Sequence, residues 1–136
     1  MTPLTPNAAL DFAHRWLDAW NRHDVDAVLD LFVAEPEFRS PYIVTFASEP
    51  SGCLRGRAAL RRYWTTGLAR IPDLNFSLID VLAGVDSLTI YYLGHRGPVA
   101  ETFRLDGHGR AISATACYSL TDTAAPPAPA SNSSQA

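Results

Sequence analysis

From about residue 75 onward the chain alternates apolar and polar residues in segments near 75–83, 88–95, 98–106 and 110–120. The breaks between them are short: Gly84-Val85-Asp86-Ser87, Arg96-Gly97 and Asp106-Gly107-His108-Gly109. Strict alternation marks half-buried strands, and turns this short join only antiparallel neighbours. A parallel crossover needs a dozen or more residues. The C-terminal half is therefore expected to be an antiparallel meander with one face against a core.

Helical spacing fills the first half. Ala9, Phe12, Ala13, Trp16, Leu17 and Trp20 form one apolar stripe, giving a first helix over about 8–21 with Asn7 as its N-cap. Asp24 caps a second, shorter helix carrying Val25, Val28, Leu29 and Phe32, which Pro36 is expected to end. Glu37-Phe38-Arg39-Ser40 reads as a short strand. Tyr42-Ile43-Val44-Thr45-Phe46 either extends that strand or covers a pocket. After Gly56, the residues Leu60, Tyr63, Trp64 and Leu68 mark a third helix that Pro72 stops. The fold class expected is α+β: a cone-shaped, curved antiparallel sheet wrapped around three N-terminal helices, a cystatin-like roll. The domain spans about 8–120. Residues 1–7 form a leader, and the Ala/Pro/Ser-rich stretch 121–136 reads as a disordered tail.

Composition narrows the function. The 136 residues suit one domain. A net charge of −3 argues against nucleic acid as a partner. All 11 basic residues are arginine, so lysine Schiff-base chemistry is excluded. No apolar run approaches the ~20 residues of a membrane helix, and no signal peptide is visible, so a cytoplasmic location is expected. Cys53 and Cys117 read as a loop thiol and a buried strand thiol. The histidines at 14, 23, 95 and 108 share no metal-ligand spacing, so neither a metal nor another cofactor is expected. His95, beside a hairpin turn, is the one histidine placed to act as an acid or base.

The residue that stands out is Glu101. Along Val99-Ala100-Glu101-Thr102-Phe103-Arg104-Leu105 it falls on the face of Val99, Phe103 and Leu105. A carboxylate on an apolar face must be neutralised, hydrogen-bonded or placed in a cavity. With Arg96-Gly97 as the turn, Tyr92 lies opposite Glu101. With Gly107-His108 as the next turn, Ala114 lies on its other side and Phe103 meets Ile112. Ala114 and Ala116 then leave room beside the carboxyl. Trp16, Phe38 and Trp64 are expected to face the space between helices and sheet, either as core or as pocket lining. Ser40 is a candidate hydrogen-bonding residue there, Tyr42 reaches toward the mouth, and Arg39 points to the surface. The opposite sheet face offers Ala100, Thr102, Arg104, Ser113, Thr115 and Cys117, a small and mixed surface suited to a sheet-to-sheet homodimer.

Three stretches carry a family resemblance: Arg15-Trp16-Leu17-Asp18-Ala19-Trp20-Asn21-Arg22-His23-Asp24-Val25-Asp26-Ala27-Val28-Leu29-Asp30-Leu31-Phe32, then Gly56-Arg57-Ala58-Ala59-Leu60-Arg61-Arg62-Tyr63-Trp64, then Thr102-Phe103-Arg104-Leu105-Asp106-Gly107-His108-Gly109-Arg110-Ala111-Ile112. They resemble the nuclear-transport-factor-two-like superfamily, in its ketosteroid-isomerase and SnoaL-like polyketide-cyclase branch. The resemblance implies a dimeric roll with an apolar pocket. It places the isomerases' oxyanion-hole acid on Glu101, their oxyanion-hole tyrosine on Trp16 and their general-base aspartate on Ser40. An indole N–H donates but has no acidic phenol proton, and a lone serine is no base at neutral pH. Standard steroid isomerisation by that mechanism is therefore not expected. The expected function is the binding of a small apolar organic molecule. The catalytic version is an isomerase, cyclase or hydro-lyase using Glu101 and Ser40, with Trp16, Phe38, Trp64, Tyr92 and Ala114 around the substrate. The alternative is a non-catalytic ligand-binding module of the same fold.

Overall fold

The computed structural model describes residues 3–121. Helix α1 spans Pro6–Asn21 and α2 spans Val25–Leu29. Strand β1 follows at Phe32–Arg39, then helix α3 at Pro41–Phe46, strand β2 at Cys53–Arg55 and helix α4 at Arg57–Arg70. The meander is β3 (Ser77–Ala83), β4 (Ser87–Gly94), β5 (Gly97–Leu105) and β6 (Ala111–Tyr118). Among the described residues they form one curved six-stranded sheet in the order β2-β1-β6-β5-β4-β3, with the helices against its inner face. The result is the expected α+β roll. The proposed tail falls outside the described residues apart from Thr121.

Several boundaries differ from the sequence reading. Helix α1 starts in the expected leader, because Thr5 rather than Asn7 is the cap: its hydroxyl accepts the Ala8 N–H at 3.1 Å, and Pro6 supplies a ready-made first helical residue. Asp24 does cap α2, accepting the Ala27 N–H at 3.0 Å. That helix ends at Leu29, however, and Pro36 lies inside β1. Proline is tolerated there because the ladder between β1 and β6 is irregular from Phe32 to Glu37, so no bond is lost for want of its N–H. The stretch after Pro41 becomes a fourth helix, with the Ser40 hydroxyl accepting the Tyr42 N–H at 3.2 Å. One junction is parallel: β1 runs alongside β6, far away in sequence. The exposed Cys117 corrects the expectation of a buried thiol, and Cys53 lies in β2.

Both hairpin registers moved by two residues. The first turn is His95-Arg96, so Gly94 pairs with Gly97, Tyr92 with Val99, and Ile90 rather than Tyr92 with Glu101. The second connection runs over residues 106–110. There the Asp106 carboxylate accepts the N–H groups of His108 and Arg110 at 2.8 and 3.0 Å. Glu101 then faces Ala116, Phe103 faces Ala114, and Ile112 sits at a bulge. A slip of two residues keeps every side chain on its face; a slip of one would have inverted β5.

The core is aromatic. Phe103 is fully buried, with its ring centroid 5.2, 5.6 and 6.1 Å from those of Phe12, Trp16 and Phe32. It thus ties α1 and β1 to β5. Truncation to Phe103→Ala is expected to cost ~3–5 kcal/mol, read as a lower urea midpoint with unchanged slope. A change below about 1 kcal/mol would show that this contact does not organise the core.

Candidate functional site

A cavity of about 390 Å³ opens between α1, α3, α4 and the inner face of β4–β6. Its apolar wall is built from side chains already placed by the fold. Trp16 and Trp20 stand one helical turn apart on α1, and Trp64 projects from α4 with its ring centroid 5.4 Å from that of Trp20. Phe76 stacks on Trp16 at 5.7 Å, and Tyr92 meets Trp16 edge-on at 5.0 Å. Phe38 closes against Trp64 at 5.5 Å.

Glu101 is in this wall and is only 5 % exposed. Tyr92 donates a hydrogen bond to Glu101 Oε1 at 3.0 Å, reaching diagonally from the neighbouring pair on β4. No cation contributes to the environment of the carboxyl. Burial pushes its pKa up to about 7, and the Tyr92 hydroxyl, which favours the anion, offsets only part of that rise. Burial and the adjacent carboxyl hold Tyr92 well above the ordinary tyrosine range, and burial does the same for Tyr63 and Tyr118. Below about pH 7 the site therefore presents a protonated carboxyl among neutral phenols.

The structure brings Glu101, Trp16, Phe38, Trp64 and Tyr92 into one wall. Ser40 and Ala114 do not belong to it. Ser40 is buried one layer back, where its oxygen caps α3 and meets the Tyr118 hydroxyl at 3.5 Å. Ala114 pairs with Phe103 and Phe38, so Ala116 takes the place beside Glu101. Tyr42 and His95 do line the cavity, and Arg39 is exposed and paired to Glu37. Sequence reasoning missed Trp20, Tyr63, Phe76 and Tyr118. The inward parity of 114, 116 and 118 on β6 would have found Tyr118. The indole N–H of Trp20 is buried without a hydrogen-bond partner, a donor free for a bound oxygen. Among the described residues no three His, Cys, Asp or Glu side chains gather as a metal site. No helix among them is long and apolar enough to cross a membrane.

The profile of the SnoaL-like domain matches residues 13–123. The chain belongs to the SnoaL-like domain family. With it comes the nuclear-transport-factor-two-like superfamily. This SnoaL-like chain is 44 % identical to a SnoaL-like protein of unknown function from Burkholderia thailandensis, with a TM-score of 0.84 over 86 % of this chain and 98 % of that one. A protein of ketosteroid isomerase-like fold from Catenulispora acidiphila, solved in complex with trimethylamine, is 22 % identical with a TM-score of 0.66 over 82 % and 87 % of the two chains. The epoxide hydrolase/cyclase-like enzyme SalBIII, described in pyran ring formation in the polyether salinomycin, is 18 % identical with a TM-score of 0.68 over 85 % and 94 %. These last two likenesses concern the fold. Among curated proteins none matches the sequence.

The raised pKa of Glu101 makes stability depend on pH. The folded chain holds the proton more tightly than the unfolded one, whose ordinary value is 4.5. The stabilisation is whole below about 4.5 and is lost as pH climbs through about 7. The unfolding free energy of the wild-type chain is expected to fall across that window relative to Glu101→Gln, by an amount on the order of a few kcal/mol. Parallel curves for the two proteins would contradict the burial of an unpaired acid.

Proposed function

We propose that this SnoaL-like protein binds a small, largely apolar molecule bearing an acceptor oxygen, and that protonated Glu101 donates to that oxygen. The observation that carries this reading is a buried carboxyl, without a cationic partner, in the wall of an aromatic cavity. A protonated acid in a dry site stabilises developing charge on a carbonyl, an epoxide or a leaving hydroxyl. Such a group fits isomerase, cyclase or hydro-lyase chemistry. Tyr92, bonded to the other side of the carboxyl, orients it and stabilises the carboxylate left after proton transfer.

One observation favours binding without turnover. Proton abstraction needs a base facing the acid, and Ser40, the residue at the isomerases' aspartate position, is occupied in capping α3 outside the cavity wall. Reactions driven by one acid alone remain chemically open to the site.

Matched probes separate these readings. 1-Tetralone is expected to bind about tenfold tighter than tetralin at about pH 6, with a lowered carbonyl stretching frequency. Glu101→Leu should erase both differences while tetralin binding survives. Equal affinities for the ketone and the hydrocarbon would refute donation by Glu101. Opening of styrene oxide above the spontaneous rate, lost in Glu101→Gln and lost as pH rises through about 7, would mark an enzyme. Binding with no such turnover supports the accessory module.

The open face of the sheet supports a homodimer. Leu82, Tyr91 and Leu93 are exposed there beside Ala100 and Thr102, and Thr89 and Thr102 hydroxyls meet at 2.8 Å across the strands. An apolar face of this kind is stable when it meets a second copy. Sedimentation should give a dimer for the wild type and a monomer for Leu93→Arg. A wild-type monomer at micromolar concentration would count against this interface.

A further inference from the structure

Apart from Arg57, which donates to the Val33 and Phe32 carbonyls, and Arg110 at the second hairpin, the arginines of this chain fall into two groups. Arg15, Arg22, Arg39, Arg55, Arg61 and Arg104 each pair with an aspartate or glutamate. Arg62, Arg70 and Arg96 make no such pair among the described residues, and all three line the cavity. The chain as a whole is negative, at −3, yet these three cations of the cavity lining have no carboxylate partner.

Arg96 is the most telling of the three. It sits in the turn between β4 and β5 and is half-buried, and its Nη1 atom is buried with no hydrogen-bond partner. A desolvated guanidinium N–H without an acceptor is costly, and a bound anion would supply the acceptor. Arg70, at the end of α4, lies with its guanidinium 5.6 Å over the ring of Phe46. The fields of these cations enter the cavity. Arg96 draws the Tyr42 hydroxyl downward against the rise from burial, and Arg70 does the same at Tyr63.

We infer that the ligand of this cavity is an amphipathic organic anion: a carboxylate held at the mouth by Arg96 with Arg70 beside it, and an apolar body reaching inward past the tryptophans. This rests on the reading of Glu101 as a donor to a ligand oxygen and names the class of molecule that reading leaves open. The two anchor points lie five residues apart along β5 and its turn, roughly 15 Å of backbone. The side chains bridge part of that span. The carboxylate and the acceptor oxygen of the ligand are therefore separated by several bonds and are distinct groups. The same arrangement disfavours an organic cation, whose charge would meet three arginines on entry.

The test uses 4-phenylbutyrate, 4-phenylbutanol and 4-phenylbutylamine, which share one body and differ in head group. Calorimetric titration at low ionic strength and about pH 6 keeps Glu101 protonated. The acid is expected to bind about tenfold tighter than the alcohol, with the amine weakest. Arg96→Gln should bring the acid down to the affinity of the alcohol and leave the alcohol unchanged. Arg110→Gln, a loss of the same charge at the far hairpin, should keep the preference. Equal binding of acid and alcohol by the wild type, tighter binding of the amine, or a preference that survives Arg96→Gln would overturn the inference. An alcohol that binds and weakens in Glu101→Leu, with an acid that binds no better, would overturn the anion assignment alone. Failure of all three probes to bind would remove the ligand cavity itself and this inference with it.

Discussion

Strand β5 can bury only one of its faces, and Phe103 decides which. Its ring is locked among Phe12, Trp16 and Phe32, so Val99, Glu101 and Leu105 must share its side. Turning the strand over would hydrate Glu101 but would expose a phenylalanine, a valine and a leucine and bury Arg104. Transfer of those apolar side chains alone costs on the order of 5 kcal/mol or more. The carboxyl is therefore carried into the interior by its neighbours, against its own preference. No cation awaits it there, and the remaining way to lower its energy is to keep its proton.

The aromatic layer turns this local conflict into a site. Trp16, Trp20, Trp64, Phe38 and Phe76 come from both ends of the helical half and from the entry to the meander, so most of their rings meet at edges, with Phe76 stacked on Trp16, and leave space between them. Tyr92 and Tyr118 supply hydroxyls without charge. Arginines stand at the opening. The result runs from cationic at the rim to apolar in the body to a neutral acid in the wall, a gradient that orients a molecule with unlike ends.

Much of the fold was legible because its signals are periodic. The stripe from Ala9 to Trp20 and the alternation from Val99 to Leu105 assign elements and faces without any knowledge of register. What escaped depended on local chemistry or on distant partners. Tyr42-Ile43-Val44-Thr45-Phe46 is rich in β-formers, yet the Ser40 cap and Pro41 make it helical. The parallel pairing of β1 with β6 joins segments some 75 residues apart and leaves no trace in either. Hairpin registers depend on which residue accepts the left-handed or otherwise unusual turn geometry, and Gly97 and Gly109, both at positive φ, set them differently from the nearest turn-like dipeptides. The inward acid was visible because parity survives such errors. The cavity role of Ser40 was not refutable from sequence, since an N-cap and a pocket hydroxyl look alike until the following helix is seen.

The central claim is that the carboxyl at position 101 is neutral near pH 6. Infrared difference spectroscopy between the wild type and Glu101→Gln reads this directly, as the carbonyl stretch of a protonated carboxyl group titrated against pH. The account predicts a band that disappears with a midpoint near 7. A midpoint at the ordinary 4.5 of a hydrated glutamate would contradict it.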